Sequence, residues 1–230
     1  MMELGLKNKV ALVTGGGSQA GFGKHIALSL GKEGCQVIVV DTDLEGARKT
    51  AAELKTLGRD AIAFKADITN REEVNTVVKA GLDRFGRIDI LVNNVSGASS
   101  SPFTETTEED WHINIEINLK GMWYCCQAVL PHMLERKSGR IISLSSTTAV
   151  RGYPQASLYS AGNAGIIGLT KALAPEVGHS GISVNVVMVP GVDDVDITAS
   201  EKQDIASIVV FLASEAGGDL TSQTMLTGAW

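Results

Sequence analysis

Tyr159 is the side chain in this sequence best placed by type and setting to move a proton. It stands in 157-SLYSAGN-163, just ahead of a small-residue run that opens a long helical pattern. A tyrosine that exchanges protons near neutral pH needs a cation beside it, and the i+4 position of a helix is where one would be supplied. The sequence has Asn163 at that position. An amide can hydrogen-bond but carries no charge. A cation about 4–5 Å from a phenolate, at an effective dielectric of about 20, is worth roughly 3–4 kcal/mol. Its loss predicts a rate penalty of around a hundredfold or more. Lys171 lies two turns or more further along the same pattern, and Arg151 falls in a loop. Neither is an obvious replacement.

A second group of residues has the types and spacing to hold a dinucleotide. The stretch 14-TGGGSQAGFGKHIALSL-30 follows a β-branched run and leads into a helical pattern. Glycines at such a turn let backbone N–H groups approach a pyrophosphate and aim a helix N-terminus at it. Gly15, Gly21, Phe22 and Gly23 are the candidate cradle. The next strand pattern ends in Asp41, where a carboxylate accepts from both hydroxyls of an adenosine ribose and repels a 2′-phosphate. NAD is therefore expected over NADP. Asp43 or Thr42 is better placed than Asp41 to cap the following helix.

The elements that must position these residues alternate along the chain. Strand patterns read at 9–14, 36–41, 61–67, 88–93, 139–145, 182–189 and, weakly, 223–227. Helical patterns lie between them at about 22–33, 44–57, 71–85, 108–135, 155–178 and 201–213. Strands that are apolar almost throughout, each followed by a helix, describe a parallel sheet covered on both faces. The expected fold is α/β: one doubly wound, Rossmann-like sheet of about seven strands, with its ligand crevice at the strands' carboxyl ends where the order reverses. No linker-like shift in composition divides the chain, so residues 1–230 read as one domain.

Composition narrows the function classes. The chain is 44% hydrophobic and 20% charged, with a net charge of −6 and no cluster of Lys and Arg, which argues against nucleic acid or an anionic membrane as partner. No apolar run reaches membrane-spanning length, and the strand pattern at 9–14 begins too early for a signal peptide to precede it. The three cysteines lack ligand spacing, so neither a disulfide framework nor a metal site is expected, and a reduced, cytoplasmic setting follows.

Taken in order, 9-KVALVTGGG-17, Asp67-Ile68, 93-NNVSG-97, 114-NIEINLKGMWYCCQAVLPHM-133, 139-GRIISLSS-146, Tyr159, Pro190-Gly191 and 204-DIASIVVFLAS-214 resemble the short-chain dehydrogenase/reductase family over almost the whole chain. The resemblance implies that Asp67 and Ile68 flank the adenine, that Asn93 lines the cofactor groove, and that Pro190-Gly191 packs beside the nicotinamide. It also implies a catalytic tetrad of Asn, Ser, Tyr and Lys, whose first three members map onto Asn118, Ser146 and Tyr159. The tyrosine takes or gives the hydroxyl proton, the serine polarises the substrate oxygen, and the asparagine, at a helix kink, positions a water.

The chain departs from the family pattern in four places. Asn163 replaces the lysine. Five residues, GGSQA, separate Gly15 from Gly21 where the family usually has three. Val95 stands where the family has alanine, facing the expected cofactor. The segment 192-VDDVDITASEKQD-204 is too short for the family's substrate lid, has Val195 in place of a carboxamide-binding threonine, and carries Asp193, Asp194 and Asp196 near the expected pyrophosphate. Without a lid, water is poorly excluded. The expectation is a subunit with little or no hydride transfer of its own and weak or lost NAD binding. It would assemble with itself or with a catalytic relative acting on a secondary alcohol or ketone, hydroxyacyl-CoA substrates included. The family's usual oligomer interface lies on the helices at about 108–135 and 155–178. Two alternatives stand beside this: an active NAD-dependent alcohol dehydrogenase using Tyr159, Ser146 and Asn118 through an altered proton relay, and a non-catalytic NAD(H)-binding sensor.

Overall fold

A computed structural model describes residues 4–190 and 197–227. Seven parallel strands form one sheet: β1 (Val10–Thr14), β2 (Gln36–Asp41), β3 (Ala61–Lys65), β4 (Ile90–Asn93), β5 (Gly139–Ser146), β6 (Ile182–Val189) and β7 (Thr224–Leu226). Their order across the sheet is β3-β2-β1-β4-β5-β6-β7, which reverses between β1 and β4. The helices are α1 (Phe22–Lys32), α2 (Leu44–Thr56), α3 (Arg71–Phe85), α4 (Glu108–Trp111), α5 (Gly121–Arg136), α6 (Thr148–Arg151), α7 (Ser157–Gly178) and α8 (Ala199–Ala213). Between α4 and α5 the chain stays helical through π-type turns over His112–Lys120.

The two-residue period of a strand divides its side chains between the faces of the sheet. Ala11 and Val13 of β1 face a core shared with Ile26 and Leu30 of α1, Leu54 of α2 and Val209 of α8. Val10 and Leu12 face the opposite core with Val77 of α3, Met122 and Val129 of α5, and Ile166 of α7. Each strand of the interior is thus apolar on both sides, as the continuous patterns require.

At the amino ends of the strands a buried carboxylate holds the sheet together. Asp89, 4% exposed, accepts from the Val10 backbone at 2.9 Å and pairs with Arg87, with Arg136 at 3.6 Å. Helix starts follow local chemistry. Asp43 caps α2 by accepting from Gly46 N, and Thr107 and Thr198 form capping boxes with Asp110 and Glu201. Helix α1 differs: its N-cap is Gly21, with no side-chain hydrogen bond to the first turn.

Several boundaries differ from the sequence reading. β3 ends at Lys65, two residues short, and the last rung of its ladder with β2 is the Ala66 N–H donating to Asp41 O. Helix α8 begins at Ala199, where Thr198 supplies a cap. Helix α6 and a 3-10 turn at Phe103–Glu105 are too short to show a period in the sequence.

Candidate active site and cofactor groove

Above the β1–β4 switch lies a cavity of about 460 Å³. Gly15, Ser18, Gly21 and Phe22 form one side, and Asp41, Asp67 and Ile68 another. Asn94, Val95, Ser96, Gly97 and Ile117 close it. Gly15 turns out of β1 with φ +67°, and a Cβ there would lie 2.7 Å from the Asn94 amide nitrogen. Gly23 is packed rather than exposed to the groove: a Cβ on it would meet Gly15 O at 2.2 Å, so α1 can close on the turn only with glycine at this position.

Asp41 faces the cavity and is itself anchored. Its Oδ2 accepts from Gly17 N at 2.7 Å and its Oδ1 from Asp43 N at 2.9 Å. Each oxygen keeps a lone pair for a ribose hydroxyl. The lengthened glycine turn lines the groove through Ser18. Val95 does line it, and its Cγ2 would lie 3.2 Å from a Cβ on Gly15.

Asn93 departs from its expected place. It is 6% exposed, and its Nδ2 donates to Ser143 Oγ at 3.1 Å and approaches Cys126 Sγ at 3.7 Å. As the last residue of β4 it keeps the strand's alternation and points inward. Asn94, one residue past the strand, is the asparagine on the groove: its Nδ2 donates to Thr14 O at 2.9 Å and Gly15 O at 3.1 Å, pinning the turn. Pro190 follows β6 at the carboxyl end of the sheet. Gly191 lies outside the described residues, as do Asp193, Asp194, Val195 and Asp196.

Asn118 sits in the π-helical segment, 3% exposed, with its amide fully engaged. Its Oδ1 accepts from Gly97 N, and its Nδ2 donates to Gly97 O and Asn114 O, all at 2.8 Å. One helical step earlier, Asn114 Oδ1 accepts from Ser99 N at 3.1 Å and Asn114 Nδ2 donates to Ser99 Oγ at 2.6 Å. These two asparagines stitch the loop after β4 to the helix. Hydrogen bonds from Ser99 and Thr107 hold the nearby Asp110 carboxyl below the usual carboxylate range. The i, i+4 pair Asn114–Asn118 was visible in the sequence as spacing, yet nothing marked the loop as its target.

Ser146 ends β5, buried. Its Oγ accepts from Thr148 N at 3.2 Å and from Thr148 Oγ1 at 3.0 Å. Ser146 is 0% exposed, and its hydroxyl is engaged with Thr148. Tyr159 occupies the first turn of α7 and is 8% exposed.

Asn163 is 3% exposed, and its Nδ2 donates to Tyr159 O at 3.0 Å. The amide therefore folds back along its own helix. Its backbone oxygen accepts from Ser145 Oγ at 3.0 Å, which ties α7 to β5 beside Ser146. Lys171, twelve residues beyond Tyr159, lies about 18 Å along the helix axis. Helix α7 reaches the π segment through small residues: a Cβ on Gly162 would meet Asn114 O at 2.1 Å.

Among the described residues no group of three or more His, Cys, Asp or Glu could hold a metal ion, and no helix is long and apolar enough to cross a membrane. A family model described as short chain dehydrogenase matches residues 9–206. A subunit of (2S)-[(R)-hydroxy(phenyl)methyl]succinyl-CoA dehydrogenase, BbsD of Thauera aromatica, is 38% identical, the match covering 96% of each chain. A 3-oxoacyl-[acyl-carrier-protein] reductase of Synechocystis is 36% identical over 95% of each. The crystal structure of carveol dehydrogenase from Mycobacterium avium, in complex with NAD, superposes with a TM-score of 0.86 at 27% identity, covering 96% of each chain.

Proposed function

Starting from a chain that belongs to the short-chain dehydrogenase family, we propose that it binds NAD(H) in the groove above the β1–β4 switch and serves as a weakly catalytic or non-catalytic subunit of a dehydrogenase for secondary alcohols or ketones. The observation that carries this reading is Asn163, an uncharged side chain turned back onto Tyr159 O where proton exchange by the phenol needs a cation. Retained NAD binding is supported by the open cavity, by Asp41 on its wall and by the uncapped start of α1. In this arrangement Asp41 takes the adenosine ribose, Asp67 and Ile68 flank the adenine, and the Gly15–Gly21 turn takes the pyrophosphate.

The substrate class is drawn from the relatives, whose names place the reacting group on acyl chains carried by CoA or by a carrier protein. Assembly is assigned to α4 through α5 together with α7. Trp111 and Trp123 on the first helix are 47% and 40% exposed, with Leu134 further along. Large apolar side chains at that exposure suit a helix that is covered by another subunit.

The test is purification from the native cell, with mass spectrometry of co-purifying chains and NAD-dependent turnover measured with and without them. Full turnover by the isolated chain refutes the non-catalytic assignment. Partner activity that is unchanged when this chain is omitted refutes the subunit role. A second reading, an active dehydrogenase with a different proton path, is supported by the presence of both Ser146 and Tyr159, and for it Tyr159→Phe abolishes turnover.

A further inference from the structure

The residues that lengthen the glycine turn fold outward onto α2. Gln19 Nε2 donates to Gly17 O at 2.9 Å and to Gly46 O at 3.1 Å, while its Oε1 accepts from Lys24 Nζ at 2.7 Å. Lys24 Nζ also pairs with Glu53 Oε1 at 2.6 Å. Thr50 Oγ1, on the same side of α2 as Gly46, donates to Gly16 O at 2.8 Å. The carbonyls of Gly16 and Gly17 are thus both turned toward α2. In a trans peptide the C=O and N–H point in opposite directions, and no cis bond occurs among the described residues. With Gly17 O held by Gln19, the Ser18 N–H is directed away from α2, and Ser18 lines the groove.

We propose that Gln19 is a positioning residue for the dinucleotide. Braced by Lys24 and Glu53, it fixes the lengthened turn so that the Ser18 N–H and the open first turn of α1 face the pyrophosphate together. The two extra residues then serve anion binding through the contact of Gln19 with α2. The proposal rests on the reading of the groove as an NAD site.

The test compares NAD, ADP-ribose and adenosine as ligands of the full chain, by calorimetric titration and, for adenosine, ligand-observed NMR. Gln19 is exposed, so its variants are expected to fold. Gln19→Ala is expected to weaken NAD and ADP-ribose about tenfold, the loss of one or two hydrogen bonds, and to leave adenosine unchanged. Gln19→Glu keeps an acceptor for Lys24 but sets a carboxylate against two carbonyls, and is expected to weaken the same two ligands at least as much. Equal NAD affinity in the wild type and Gln19→Ala overturns the brace while leaving the NAD reading in place. An equal loss for adenosine overturns it too, since that marks general damage to the groove. A wild-type chain that binds none of the three overturns both.

Discussion

Replacing Asn163 by lysine returns a cation to the helical turn that follows Tyr159, and the size of the effect can be worked out in advance. An ammonium about 4.5 Å from a phenolate, at an effective dielectric of about 20, contributes roughly 3–4 kcal/mol, or a few hundredfold at most. Two terms oppose it. The position is 3% exposed, so burying the ammonium costs several kcal/mol in part-desolvation. The substitution also removes the bond from Asn163 Nδ2 to Tyr159 O, worth about 1 kcal/mol. Both costs fall on the stability of the fold rather than on the chemical step, so a folded Asn163→Lys chain is expected to gain about a hundredfold in turnover, with a rate profile displaced to lower pH because the neighbouring charge favours the ionised phenol. NADH formation with a panel of secondary alcohols and 3-hydroxyacyl thioesters measures it. Adding Tyr159→Phe to the lysine variant is expected to abolish the gain. A folded lysine variant that binds NAD as the parent does and turns over no faster refutes the electrostatic argument, as does a gain that survives loss of the phenol.

Three further outcomes are expected. Asp41→Ala removes the acceptor for Gly17 N and Asp43 N as well as for a ribose, and should weaken NAD by about ten- to a hundredfold in calorimetric titration. Asp89→Asn leaves Arg87 and Arg136 without their buried partner and should cost about 3 kcal/mol in urea unfolding; a change within error removes its assigned role at the base of the sheet. Burial pushes the Cys35 and Cys126 thiols up to about 12, and Cys125 is raised by burial as well. Because the folded chain holds these protons more tightly than an unfolded thiol near 8.5, their contribution is complete below about pH 8.5 and is lost as pH rises toward about 12. Melting temperature should fall over that window, and the native thiols should resist alkylation at about pH 8.

The sheet was legible because each interior strand is bound by two constraints at once, burial on both faces and a helix before or after it. Ala11 and Leu12 show the result: adjacent apolar residues go to opposite cores. The site was less legible where a backbone changes direction. Asn93 and Asn94 are identical in type, and only the end of β4 between them decides which faces inward. The π-helical turns at His112–Lys120 have no period that a 3.6-residue pattern detects. The extra residues of the glycine turn could be counted, but the partner of Gln19 on α2 lies 27 residues away and becomes a neighbour only after β2 and α2 have packed.

The seam between β1 and β4 is where the amino-terminal and carboxyl-terminal halves of the sheet meet, and it is short: Ala11, Leu12 and Val13 are paired with Ile90, Leu91 and Val92. Side chains fasten it at each end, Asp89 below and Asn94 above. A dinucleotide spanning the groove would act as a third fastener across this join, coupling occupancy to the cohesion of the entire sheet. A cell that let its NAD pool run low would then shorten the lifetime of this chain against proteases, so that its abundance would follow the cofactor supply even if it never transferred a hydride.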